Sequence, residues 1–91
     1  MKRYHVFVEG VVQGVGFRGF AMIHAQRRNL TGSVKNLDNG MVEMYVQGED
    51  TDIDLFLAEI QKGDGRFIRV DDMSVKQVPV KEGEKRFSYG W

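Results

Sequence analysis

The sequence predicts an α+β chain: a ferredoxin-like βαββαβ sandwich, with a mostly antiparallel sheet of four to five strands and two helices on one face. Three observations carry this. Two stretches have helical apolar spacing, one from Phe17 and one after Thr51. Strand-like runs flank both. Between the helices, Asp38-Asn39-Gly40 is a hairpin signal with no room for a helical crossover. A length of 91 residues makes one domain, expected to span 1–91.

The elements follow in order. Tyr4–Glu9 reads as the first strand and leads into a glycine-rich turn. The first helix should run from Phe17 to Arg28, with Phe17, Phe20, Ala21, His24 and Ala25 on one face. His24 reads there as a packed core histidine. Asn29 should end the helix in a left-handed conformation. A second strand, Thr31–Leu37, meets a third, Met41–Gln47, across the Asp38-Asn39-Gly40 turn, in which Asn39-Gly40 is a two-residue hairpin signal. In the third strand Val42, Met44 and Val46 alternate with Glu43, Tyr45 and Gln47, so one face is buried. Asp50 or Thr51 should cap the second helix, with Asp52 and Asp54 favourable in its first turn. That helix buries Ile53, Phe56, Leu57 and Ile60 and stops at Lys62-Gly63. A fourth strand spans Ile68–Pro79; its apolar parity slips, which predicts a bulge at Asp71-Asp72. A last strand covers Lys85–Tyr89, with Phe87 and Tyr89 on one face.

Composition removes several function classes. The 13 basic and 13 acidic residues cancel, which argues against a dedicated nucleic-acid binder. With no cysteine there is neither a disulfide framework nor thiolate chemistry. Two histidines are too few for a metal cluster. No apolar run approaches the ~20 residues of a membrane span, and the N-terminus has no signal-peptide core. The expectation is a cytoplasmic monomer that binds neither membrane nor nucleic acid and uses no metal or cofactor.

The chemistry concentrates in Gly10–Arg18, GVVQGVGFR. A strand enters a turn whose Gly14 and Gly16 let the backbone curl closely about a ligand. Successive N–H groups then point into one concavity, and the following helix adds its partial positive charge. That arrangement binds phosphate. Arg18 adds a planar fork of donors matched to phosphate oxygens. Gly14 to Gly19 also spells G-x-G-x-x-G, and Asp38 lies about 20 residues on, as in a dinucleotide fingerprint. The hairpin after Asp38 and the short chain argue against that reading.

GVVQGVGFR, then Leu30-Thr31-Gly32-Ser33-Val34-Lys35-Asn36, then Gly40-Met41-Val42-Glu43, resembles the acylphosphatase signatures; so does Arg69-Val70-Asp71 with Val75. The resemblance runs nearly the whole chain. It implies a metal-free hydrolase that splits small acyl phosphates into carboxylate and inorganic phosphate. It implies that Gln13, Gly14, Val15, Gly16, Phe17 and Arg18 hold the phosphate, and that Arg18 and Asn36 are catalytic, Asn36 positioning the attacking water. Inorganic phosphate or sulfate should compete for the loop. The chain departs from the family pattern at Asn29, at Asn39 and at Gly19-Phe20, and ends in Trp91. The inventory suits the chemistry by itself: a carboxylate leaves without protonation, and a loose phosphoryl-transfer transition state needs positioning and charge more than covalent help. The alternative is a non-catalytic anion-binding or RNA-binding module, the latter stacking bases on Phe7 and Tyr45 of the open sheet face.

Overall fold

The computed structural model describes residues 1–90, so Trp91 lies outside the described residues. The elements are β1 (Lys2–Val11), α1 (Phe17–Arg27), β2 (Thr31–Asn36), β3 (Val42–Gly48), α2 (Asp50–Lys62), β4 (Arg69–Val78) and β5 (Phe87–Tyr89). The sheet order is β4-β1-β3-β2-β5. Every pairing is antiparallel except β2 with β5, which is parallel. This is the ferredoxin-like arrangement with an added edge strand.

Periodicity sets the faces. Val42, Met44 and Val46 point to the helices and are fully buried, as are Val6 and Val8 opposite them. Phe17, Ala21 and Ala25 of α1 and Ile53, Phe56 and Ile60 of α2 close the core from above. Phe20, Leu57 and His24 take the flanks of their helix faces and are only half-buried. His24 packs edge-on against Phe20 at 4.5 Å. Its Nδ1 lies 3.3 Å from Glu59, whose carboxylate also holds Arg28 at 3.1 Å, so the two helices are clipped together.

Asn29 does take a positive φ, 56°, after the last turn of α1. The bulge falls at Asp71, skipped between the Glu9–Asp72 and Gly10–Val70 pairs. At that step a Cβ on Gly10 would stand 2.1 Å from the Arg69 carbonyl oxygen, so only glycine fits.

Several boundaries differ from the sequence expectation. β1 is longer at both ends, because β3 pairs with it from Lys2 to Val8 and β4 from Arg3 to Val11. The β2–β3 turn falls on the expected Asp38–Gly40, although Asn39-Gly40 does not form a two-residue turn within it. Asn39 keeps a negative φ and only Gly40, at 91°, is left-handed. Leu37 N–H donates to the Met41 carbonyl at 2.8 Å and Gly40 N–H to the Leu37 carbonyl at 3.2 Å, giving a three-residue loop. The second helix is capped at Glu49, not at Asp50 or Thr51, and without a side-chain bond. Asp50 instead pairs with Lys2 at 3.0 Å and enters the first helical turn, where its charge faces the positive helix end. The last strand is shorter than expected, starting at Phe87.

The open sheet face is polar. Phe7 and Tyr45 lie there but are half-buried. His5 stacks on Tyr45 at 4.3 Å, tilts against Phe7 at 4.6 Å and meets Glu43 at 2.7 Å. The Arg3 guanidinium covers Tyr45 at 4.9 Å. These rings are committed to one another and are not free to stack bases. No helix among the described residues is long and apolar enough to cross a membrane.

Candidate active site

The topology gathers the candidate residues. β1, β2 and β5 run in one direction, because β1 and β2 flank β3 antiparallel to it and β5 parallels β2. Their C-terminal ends therefore share one edge of the sheet. The loop after β1, the hairpin after β2 and the end of β5 meet there, around a cleft of about 300 Å³. Its walls are Val12, Gly14, Gly16, Phe17, Arg18, Gly19, Asn36 and Tyr89.

Gly14 and Gly16 have φ of 73° and 81°, a left-handed region that suits glycine. Two such turns separated by one residue curl the loop, and Gly16 is the N-cap of α1. The first intrahelical bond runs from Phe20 N–H to the Gly16 carbonyl at 3.0 Å. The N–H groups of Phe17, Arg18 and Gly19 precede it and have no helical acceptor. No acidic side chain occupies this first turn, so the positive helix end is uncompensated. Arg18 is exposed and, among the described residues, in no ion pair. Its guanidinium lies 5.4 Å from the centre of the Tyr89 ring. Asn36, the last residue of β2, is exposed and lines the same cleft. The result is one cation, a curl of free N–H groups and one amide around an open concavity. That set can hold a phosphoryl group and present a polar side chain to it.

Of the residues expected here, Gly14, Gly16, Phe17, Arg18 and Asn36 line the cleft; Gln13 and Val15 do not. The Gln13 side chain turns away, and its Nε2 donates to the Leu37 carbonyl at 2.7 Å and the Met41 carbonyl at 2.8 Å. It bolts the glycine loop to the hairpin that carries Asn36. Tyr89, Val12 and Gly19 belong to the cleft and escaped sequence reasoning. Val12 and Gly19 had a signal, lying inside or beside the glycine motif; Tyr89 had none, arriving through a long-range parallel pairing. Among the described residues no three His, Cys, Asp or Glu side chains come together.

Comparison with known proteins is consistent along the chain. A family model described as acylphosphatase matches residues 4–89. An acylphosphatase from Clostridium beijerinckii is 49% identical over 88 residues, covering 97% of each chain. One from Geobacillus thermodenitrificans is 51% identical over 87 residues, 96% of this chain and 92% of its own. The crystal structure of the acylphosphatase from Bacillus subtilis matches with a TM-score of 0.94 and 40% identity, each chain covered in full.

Proposed function

The chain belongs to the acylphosphatase family and is a hydrolase of acyl phosphates; from that premise we propose how its own residues carry the reaction. The phosphoryl group sits in the curl of Gln13–Arg18, its oxygens accepting bonds from the backbone N–H groups of that stretch and from the Arg18 guanidinium. Gln13 contributes its backbone only, since its side chain is spent on the hairpin. Asn36 orients a water for in-line attack on phosphorus. The new P–O bond forms as the bond to the carboxylate breaks. The carboxylate leaves as an anion, and the water's proton passes to an oxygen of the phosphate itself. Arg18 and the N–H groups stabilise charge that spreads over the equatorial oxygens. No step calls on a metal, a cofactor or a general acid. Inorganic phosphate and sulfate carry the same tetrahedral oxygens and compete for the curl.

One observation supports this reading above the others: an arginine in no ion pair among the described residues, a left-handed glycine loop at a helix start and Asn36 converge on a single cleft. The test is hydrolysis of a model acyl phosphate, in excess chelator, by variants shown folded by circular dichroism. Arg18→Ala should raise KM and lower kcat, by up to about 10³–10⁵ for a transition-state arginine. Arg18→Lys should rescue poorly, because an ammonium lacks the planar fork. Asn36→Ala should lower kcat by about 10²–10³, as for one oriented amide, and leave phosphate affinity near the parent's. Wild-type kcat/KM in folded Arg18→Ala would overturn the assignment.

A further inference from the structure

We propose that Tyr89 is the positioning residue of Arg18, a role that rests on the reading of Arg18 as the phosphate ligand. Arg18 projects from the first turn of α1, exposed and without an ion pair among the described residues. Left alone, so long a side chain would spread over many rotamers and lose that freedom on meeting phosphate. Tyr89 is 42% exposed; its ring centre lies 5.4 Å from the guanidinium carbon, and the residue lines the same cleft.

The backbone that carries the ring is itself fixed. Tyr89 pairs with Val34 in the parallel β2–β5 ladder, and the next amide, Gly90 N–H, donates to the Val34 carbonyl at 2.8 Å. Val34 stands two residues before Asn36 on one strand. The strand that carries the water-orienting amide therefore also carries, through Tyr89, the seat of the phosphate-binding cation. Arg18 comes from a helix, yet it is held in the frame of β2.

An aromatic face suits this task for an electrostatic reason. A carboxylate here would hold the guanidinium but neutralise it and compete with the substrate. The ring attracts the cation through its quadrupole and leaves its N–H donors free at the rim.

The test is a double-mutant cycle. Tyr89→Leu removes the ring face, Tyr89→Phe keeps it, and each is made alone and with Arg18→Ala. The readouts are kcat and KM for a model acyl phosphate and Kd for inorganic phosphate, with circular dichroism to establish folding. Tyr89→Leu should weaken phosphate binding and raise KM two- to five-fold, which is about 0.4–1 kcal/mol at 1.4 kcal/mol per tenfold. Tyr89→Phe should restore most of it, and Tyr89→Leu should have no further effect once Arg18 is alanine. An equal loss in both backgrounds, a Tyr89→Phe variant as weak as Tyr89→Leu, or no loss in Tyr89→Leu would each overturn the proposal. If Arg18→Ala itself changes nothing, the error lies instead in the phosphate-site reading.

Discussion

Replacing Gln13 with methionine keeps the length of the side chain and removes its amide donor. Two hydrogen bonds disappear, those to the Leu37 and Met41 carbonyls at 2.7 and 2.8 Å. Neutral bonds of this kind contribute about 0.5–1.5 kcal/mol each. Neither carbonyl is left bare, because Leu37 still accepts from Gly40 N–H and Met41 from Leu37 N–H. The loss therefore falls in the lower part of the summed range, about 1–2 kcal/mol. For a domain of this size each kcal/mol moves the midpoint by about 4–8 °C, so Tm should drop by about 5–15 °C. Activity should change unevenly. The curl about the phosphate is set by its glycines and the helix start, which the substitution leaves alone. The hairpin loses its tie to the glycine loop, and Asn36 beside it shifts relative to the phosphate. A displacement near 1 Å can cost about 10² in rate, so kcat should fall further than phosphate affinity does. Thermal unfolding by circular dichroism, with kcat and the phosphate inhibition constant on the folded variant, measures all three. A midpoint within about 1 °C of the parent's, or equal losses in kcat and phosphate affinity, would refute the reasoning.

Two further outcomes are expected. Inorganic phosphate or sulfate should inhibit competitively and raise Tm, with phosphate at 100 times its dissociation constant adding about 2.7 kcal/mol; an unmoved midpoint at saturating phosphate and fixed ionic strength would count against a preformed cradle. Acid stability should depend on Glu59, whose carboxyl is held below the usual carboxylate range by the Arg28 hydrogen bond first and, further down, by His24, with desolvation opposing. Its contribution is complete above the ordinary carboxylate pKa and disappears as pH falls through the lower folded value. Glu59→Gln should thus lose Tm near neutrality and converge on the parent at low pH; a constant gap across that acid range would show the pair to be inert.

What the sequence disclosed and what it hid divide by range. Alternation along Val42–Gln47 and helical spacing at Ile53, Phe56 and Ile60 are local patterns with one burial solution each, and the structure follows them. The parity slip at Asp71 was readable for the same reason: an extra residue inverts the faces on one side of it. Cleft residues inside the glycine motif were legible because the backbone conformation they permit is intrinsic to glycine. The helix start at Glu49 was not, and neither was the pairing of the Asp50 carboxylate with Lys2, distant in sequence. Gln13 was read as a phosphate neighbour because its backbone belongs to the loop; the destination of its amide depends on a hairpin over 20 residues away. Tyr89 was read only as a strand residue, because nothing local to the last strand says which helix start it will face.

The anchoring of Gln13 bears on how this chain tolerates length change. Surface hairpins are ordinarily the places where insertions pass with least harm. Here the acceptors of the Gln13 amide stand immediately before and after the Asp38–Gly40 loop. An inserted residue that opened the Leu37–Met41 pair would separate them, and one planar amide could no longer reach both. Asn36 would then swing away from Arg18 even though every residue of the cleft remained in place. The three-residue turn therefore serves as a ruler for the chemistry, and a lengthened variant can keep its whole catalytic inventory and still lose the reaction.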